Sequence, residues 1–373
     1  MRVPLIDLKA QYQQIKGEIL QVLHEICEDQ RFILGPRVQK LEQEIAAYLK
    51  IAHAIGVASG SDALLLSLMA IGVGPGDEVV TTPYTFVATA GAISRLGASP
   101  VFVDIAPTTF NIHPDQIEAK LTKCTKAIIP VHLFGQCCEM EPILKLARLK
   151  KIKVIEDAAQ AMGATHHGQK AGTMGDLGCF SFFPTKNLGG YGDGGMIVTR
   201  DGDIARRLRL LRVHGSEERY YHLEVGCNSR LDELQAAVLR VKLNYLEQWN
   251  SARRERSRHY HRLFTDAALL SYLKLPEVIR GNTHVFHQYV IRAQQRDKLR
   301  HYLKEKGVDT EIYYPVPLHL QACYKGLRYR EGDFSEAERL AKEALALPIY
   351  PELTDKQQSY VVEQIKSFYL ARS

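Results

Sequence analysis

Between about residue 50 and residue 200 the chain alternates short β-branched apolar runs with segments of helical period. No other feature restricts the fold as much. "AHAIGVAS", "DEVVTT", "SPVFVDI", "TKAIIPVHLFG" and "IKVIED" read as strands. "SDALLLSLMAIG", closed by Gly72, "TFVATAGAISRLG" and "MEPILKLARLKK" read as the helices between them. Strands apolar on both faces need cover on both faces, so the pattern predicts an α/β fold with a mostly parallel sheet between helices. "GDLGCFSFF" and "GGMIVTR" extend the series on either side of a glycine cluster.

From Leu231 a long helical pattern, "LDELQAAVLRVKLNYLEQWNSARRERSRHYHRLF", carries the chain out of this unit. Beyond it "HQYVIRA" and "DTEIYY" read as strands, and "RDKLRHYLKEKG" and "SEAERLAKEALA" as helices. The expected division is a large domain over residues 1–250, with an N-terminal helical segment, and a smaller α+β domain over residues 251–373.

Charge and cysteine usage exclude several classes. The net charge of +6 is spread along 373 residues, which suits an anionic small substrate better than nucleic acid. Arg253, Arg254, Arg256 and Arg258 are expected to form a solvated helix face. Seven cysteines show no CxxC spacing, and the adjacent Cys137 and Cys138 suit neither an ordinary disulfide nor a zinc knuckle. No run approaches membrane-spanning length, and the first residues lack a signal-peptide core. A reduced, cytoplasmic protein with buried free thiols is expected. "HH" at 166–167 and "HYH" at 259–261 lack a carboxylate or cysteine at ligand spacing, so no metal site is expected.

Ligands of such sheets bind beyond the carboxyl ends of the strands. The residues there are Ser59, Gly60 and Ser61; Tyr84, Thr85 and Phe86; Asp157 and Gln160; and Ser181, followed by Lys186. "SGSDAL" opens a helix and offers free N–H groups to a phosphate, or is a plain N-cap. "GVGPGDE" follows a helix and is no dinucleotide fingerprint. Asp157 caps the next segment or holds a proton on a ring nitrogen. Phe86 belongs to the core or stacks on a flat ring. Lys186 stands in "CFSFFPTKNLGGYGDGG", between a β-prone run and a glycine cluster. Together these fit an aldehyde-bearing ring with a phosphate at one end and a basic nitrogen at the other. That ligand is pyridoxal 5′-phosphate, and Lys186 is the lysine it needs.

"SGSDALLLSL", "TPYTFVATAGAI", "VIEDAAQAMGA", "FSFFPTKNLGGYGDGG" and "CNSRLDELQAA" resemble the DegT/DnrJ/EryC1/StrS sugar aminotransferases, fold-type I pyridoxal-phosphate enzymes. The resemblance runs from "IDLKAQY" to "YYPVPLHLQ" and "ALPIYP". It implies a Schiff base on Lys186, Asp157 on the pyridine nitrogen, Gln160 near the phenolic oxygen and Phe86 on the ring face. Gly60, Ser61 and Ser181 then hold the phosphate, with Asn228 reaching it from the second subunit of a homodimer. Arg230 and Tyr314 face the substrate. The implied reaction moves an amino group from L-glutamate to a UDP- or dTDP-linked keto sugar in glycan biosynthesis. "NSR" and "YYPVPLHLQ" lean to a 3-keto sugar, with the 4-keto position as the alternative. Relatives with histidine for the lysine are dehydratases, which Lys186 argues against. A non-catalytic regulator is the remaining alternative.

Overall fold

The computed structural model describes residues 1–370. Its centre is a sheet of seven strands: β1 (His53–Val57), β2 (Glu78–Thr81), β3 (Ser99–Phe102), β4 (Thr125–Ile128), β5 (Lys153–Asp157), β6 (Leu177–Ser181) and β7 (Gly195–Thr199). Their order is β1-β7-β6-β5-β4-β2-β3. β7 runs antiparallel to β1 and to β6, and the other neighbours are parallel. The exception has a local cause. A parallel return needs a crossover, usually a helix, and residues 182–194 between β6 and β7 contain none.

Eight helices precede the C-terminal sheet: α1 (Leu8–Asp29), α2 (Pro36–Leu49), α3 (Gly60–Ala70), α4 (Ala88–Arg95), α5 (Met140–Lys150), α6 (Gly202–Leu211), α7 (Glu233–Leu243) and α8 (Leu246–Asp266). α3 buries residues all round its axis, as its unbroken "ALLLSL" demands. α1 and α2 pack on α7: Ile15 and Ile19 meet Val238 and Val241, and Leu41 and Ile45 join Ala236 and Leu239. The start of α2 is capped from far along the chain. The buried Glu233 carboxylate accepts from Val38 N at 2.7 Å and Arg37 N at 3.1 Å.

Three expectations need correction. The long helix after Leu231 is two helices, because its halves serve different cores: Ala236 and Leu239 of α7 pack with α2, whereas Tyr260 and Phe264 of α8 enter the C-terminal core. "DTEIYY" forms only a single bridge, Glu311 with Ala346. The strand at that edge is instead "ALAL". The C-terminal sheet consists of β8 (Leu273–Lys274), β9 (Tyr289–Ala293) and β10 (Ala344–Leu347). The expected helix of "SEAERLAKEALA" forms over Ser335–Glu343 and stops there. Beyond it Leu345 and Leu347 face one core while Ala344 and Ala346 face another, so period two takes over from Ala344.

Arg253 departs from the solvated face expected of its run. It is buried, and its Nη1 donates to the carbonyls of Ile349 at 3.0 Å and Phe286 at 3.1 Å. Three satisfied or shared carbonyls, His287 O among them, make burial of the guanidinium tolerable. The thiols divide as well: Cys137, Cys138 and Cys179 are buried, but Cys27, Cys124 and Cys323 are exposed. No helix among the described residues is long and apolar enough to cross a membrane.

Candidate active site

Two neighbouring carboxylates on β5 leave the strand on opposite sides. Glu156 accepts from Gly172 N at 2.7 Å and from Met174 N and Gly175 N, both at 2.6 Å. Its other contact is His132 Nε2, at 2.7 Å. It is spent on structure, pinning the 172–175 loop. Asp157 turns the other way. Its Oδ2 accepts from Thr89 Oγ1 at 2.8 Å, and its Oδ1 from Ala159 N at 3.2 Å. Burial pushes the Asp157 carboxyl up, against those hydrogen bonds and the charges of Lys186 and His132. Among the described residues it has no ion-pair partner.

Gln160 is fixed at both ends of its amide. Oε1 accepts from Phe134 N at 2.7 Å, and Nε2 donates to Tyr314 Oη at 3.2 Å. Tyr314 N donates to Tyr84 Oη at 2.9 Å, and Tyr84 Oη donates to Tyr313 O at 2.6 Å. These bonds clamp the Tyr313–Tyr314 segment over the end of β2. Burial pushes the Tyr84 and Tyr314 phenols up, so both stay protonated. Phe86, by contrast, leaves 55% of its surface exposed, with its ring centroid 6.2 Å from that of Tyr314.

The start of α3 faces the same space. Ser59 is its N-cap, with Oγ accepting from Asp62 N at 3.1 Å. The N–H groups of Gly60 and Ser61 have no partner within the helix. Gly60 is required: a Cβ there would lie 2.6 Å from Ser181 Cβ. That close approach brings the helix N-terminus beside the Ser181 hydroxyl. The N-cap reading of "SGSDAL" is therefore observed, and the first-turn N–H groups beside Ser181 leave room for the phosphate reading.

Lys186 arrives on the turn after β6. Its N donates to Phe183 O, and Gly190 N to Phe182 O, each at 2.8 Å. Burial lowers its amine to about 8, with Asp157 opposing. The cavity it enters holds about 520 Å³, within the usual range of small-molecule sites. Its lining includes Gly60, Ser61, Phe86, Asp157, Gln160, Ser181, Lys186 and Tyr314. Eight of the sequence-derived site residues thus meet in one chamber at the carboxyl ends of the strands.

Two do not. Asn228 is exposed, Arg230 is half-buried, and neither lines the cavity of its own chain. Ser229 between them is buried. It donates to Asp62 Oδ2 at 2.8 Å and accepts from Ala58 N at 3.2 Å, which ties the segment to the root of α3. The preceding stretch is apolar and open: Tyr220, Tyr221, Leu223 and Val225 are all exposed.

Sequence reasoning missed Thr89 and His287. Thr89 lies one helical turn from Thr85, so placing Phe86 at the site could have drawn it in. His287 gave no signal, because it lies two residues before β9, the central strand of the C-terminal sheet, far along the chain from the other site residues. It is buried on the cavity wall, and its Nδ1 has no hydrogen-bond partner among the described residues. Burial, and then the charges of Lys186 and Arg253, hold its pKa well below the ordinary value, so the imidazole is neutral.

Residues 13–366 match the DegT/DnrJ/EryC1/StrS aminotransferase family. The chain is 55% identical to a pleiotropic regulatory protein of Geobacillus stearothermophilus, over 99% of each. It is 44% identical to the UDP-N-acetyl-3-dehydro-alpha-D-glucosamine 3-aminotransferase of Acidithiobacillus ferrooxidans, over 98% of this chain and 97% of that one. The solved structure of DesV from S. venezuelae, in complex with a ketimine intermediate, superposes with a TM-score of 0.95 at 40% identity, over 98% of both chains. The chain therefore belongs to the DegT/DnrJ/EryC1/StrS aminotransferase family.

Proposed function

We propose that this protein is a pyridoxal-phosphate-dependent aminotransferase that carries an amino group from L-glutamate to a nucleotide-linked keto sugar. One observation carries the reading: the Lys186 amine, the Asp157 carboxylate and the N-terminus of α3 open onto one cavity.

The residues fit the cofactor. A buried carboxylate without an ion-pair partner suits a protonated ring nitrogen. The free N–H groups of Gly60 and Ser61, with the Ser181 hydroxyl, suit a phosphate. The exposed face of Phe86 suits a flat ring. Gln160 suits the phenolic oxygen. Pyridoxal phosphate, when bound, supplies an electron sink for the carbon that loses a proton.

This chain's own groups do the rest. Lys186, its amine lowered to about 8, presents a useful fraction of neutral Nζ near neutral pH. That Nζ would take the proton from the donor's amino-bearing carbon and give it up again across the amino nitrogen, a 1,3 transfer with no net gain or loss of protons. Asp157, held by Thr89 Oγ1 at 2.8 Å, keeps negative charge at the far end of the cavity. Tyr314 and Phe86 wall one side of the cavity. Asn228 and Arg230 complete a neighbouring chain's site in a homodimer, Asn228 at the phosphate and Arg230 at the substrate. Their absence from their own cavity, beside an exposed apolar stretch, supports this assembly.

The acceptor is a UDP-linked 2-acetamido-3-keto sugar, used in surface-glycan biosynthesis in the cytoplasm. The relative from A. ferrooxidans, named for a 3-dehydro UDP sugar, supports this over a 4-keto acceptor. Purified protein should show the visible band of bound cofactor and lose it on adding glutamate. Mass spectrometry over a panel of 3-keto and 4-keto UDP and dTDP sugars then names the acceptor. The regulatory name of the 55% identical relative gives a second reading, a passive cofactor holder. A band that glutamate leaves unchanged selects that reading.

A further inference from the structure

We propose that Glu141, His166 and His167 form a binding site for a divalent cation of the zinc type, outside the lining of the Lys186 cavity. One ligand atom from each residue lies within 4.8 Å of those of the other two. The carboxylate that the histidine pair lacked in sequence reaches it through the fold, from the first turn of α5.

The hairpin that carries the histidines is shaped for this. His166 pairs with Gln169, so His167 and Gly168 form the two-residue loop. Their φ angles are 47° and 80°. Positive φ at both positions is the type I′ arrangement, which usually takes asparagine then glycine. Histidine, with asparagine and aspartate, is among the few residues other than glycine that take such a position readily. Successive strand residues point to opposite faces, but this left-handed residue brings the His167 ring to 4.5 Å from that of His166. Its N–H is held by Gly281 O at 2.9 Å.

His166 supplies the second observation. It is only 6% exposed, and its Nε2 is buried with no hydrogen-bond partner among the described residues. Its Nδ1 lies 2.6 Å from Asn282 Oδ1. The Asn282 amide cannot be reversed, because its Nδ2 donates to Cys137 O at 3.0 Å. Asn282 therefore offers an acceptor, Nδ1 carries the proton, and Nε2 keeps its lone pair. A buried imidazole oriented through its other nitrogen, with a free lone pair, is how proteins prepare histidine for a metal.

Two imidazoles and a carboxylate suit Zn²⁺ or Co²⁺ with water in the fourth position. Mg²⁺ and Ca²⁺ prefer all-oxygen sets. None of the three residues lines the Lys186 cavity. A bound ion would clip the start of α5 and the 165–170 hairpin to each other, with the 282–283 strand behind them through Asn282. The site is structural, so binding should stabilise the folded chain.

The test uses full-length, cofactor-saturated protein, stripped with a chelator and dialysed. It is titrated with Co²⁺ by visible absorption, with Zn²⁺ by calorimetry, and with Mg²⁺ as control. We expect one Zn²⁺ or Co²⁺ per chain, no Mg²⁺ binding, and a rise in melting temperature with Zn²⁺. His167→Ala and Glu141→Gln, both at exposed positions, should each weaken Zn²⁺ by about tenfold or more and remove the thermal gain. Asn282→Ala should weaken it by about 10–100-fold through loss of ring orientation. His301→Ala, at an exposed helix position beside Glu305, should change nothing. Wild-type affinity in both His167→Ala and Glu141→Gln overturns the site, as does the absence of stoichiometric binding. If His166→Ala fails to fold, those two variants still decide the matter.

Discussion

Lys186 and Lys242 sit on two sides of the same glycine run, and burial lowers both amines to about 8. Their surroundings differ. Lys242, on α7, donates from Nζ to Gly189 O at 2.6 Å and lies 5.0 Å from the centre of the Tyr191 ring. It lines no part of the cavity. Lys186 makes no hydrogen bond from its amine among the described residues, and it lines an open cavity together with Asp157, whose charge acts on it. A depressed lysine pKa thus marks desolvation alone. What the amine faces decides whether the lysine is a reagent or a brace.

The largest expected effect tests this contrast directly. Lys186→Ala should abolish transamination while the fold survives, and borohydride reduction of the wild-type protein should fix the cofactor on the Lys186 peptide. Label on the Lys242 peptide would erase the distinction between the two amines. With the wild-type protein stripped of cofactor, the rate of cofactor uptake should climb with pH and be half-maximal near 8, where Lys186 loses its proton.

Asp157→Asn comes next. The variant should still bind cofactor yet turn over about a hundredfold or more slowly, since an amide brings no negative charge to the far end of the cavity. Near-normal turnover would reduce Asp157 to a cap on Ala159.

The assembly test is expected to give a partial effect. Lys186→Ala chains co-expressed with Asn228→Asp chains should recover some activity that each lacks alone. In a heterodimer one site has its lysine from the Asn228→Asp chain and its asparagine from the Lys186→Ala chain. Heterodimers without recovery would remove Asn228 from any shared site.

The smallest effect falls on Lys242→Met, whose turnover should stay within a few-fold of wild type. Its signature is in stability. The folded Lys242 amine titrates near 8 and the unfolded one near 10.5. Between those values the unfolded chain binds more protons, so wild-type stability rises with pH there. Urea denaturation of the Lys242→Met protein across that window should show a shallower rise.

What the sequence made legible follows from locality. Asp157 and Ser181 are the last residues of their strands, and Gly60, Phe86 and Gln160 stand a few residues past a strand end; strand ends were readable from β-branched runs. Direction came with them, because a parallel sheet gathers its carboxyl ends on one side. Arg253, His287 and Glu141 were opaque for the opposite reason. Arg253 looked like one charge in a helical run until Phe286, His287 and Ile349 brought carbonyls to it. Glu141 meets the histidine pair only through space. "ALAL" was misread because two alternating small and large residues satisfy both periods over four positions.

Glu156 and Asp157 hold adjacent positions, yet their tolerance to substitution should be reversed according to what is selected. Glu156 accepts three backbone N–H groups and faces His132. Glutamine there would aim an NH₂ at donors, leaving groups in a sealed interior with nothing to accept them. A library sorted by soluble yield should therefore reject Glu156→Gln and keep Asp157→Asn. On the proposed reading, position 156 governs whether the protein can be made and position 157 whether it can be used, so a screen for expression alone would pass over the residue assigned to the chemistry.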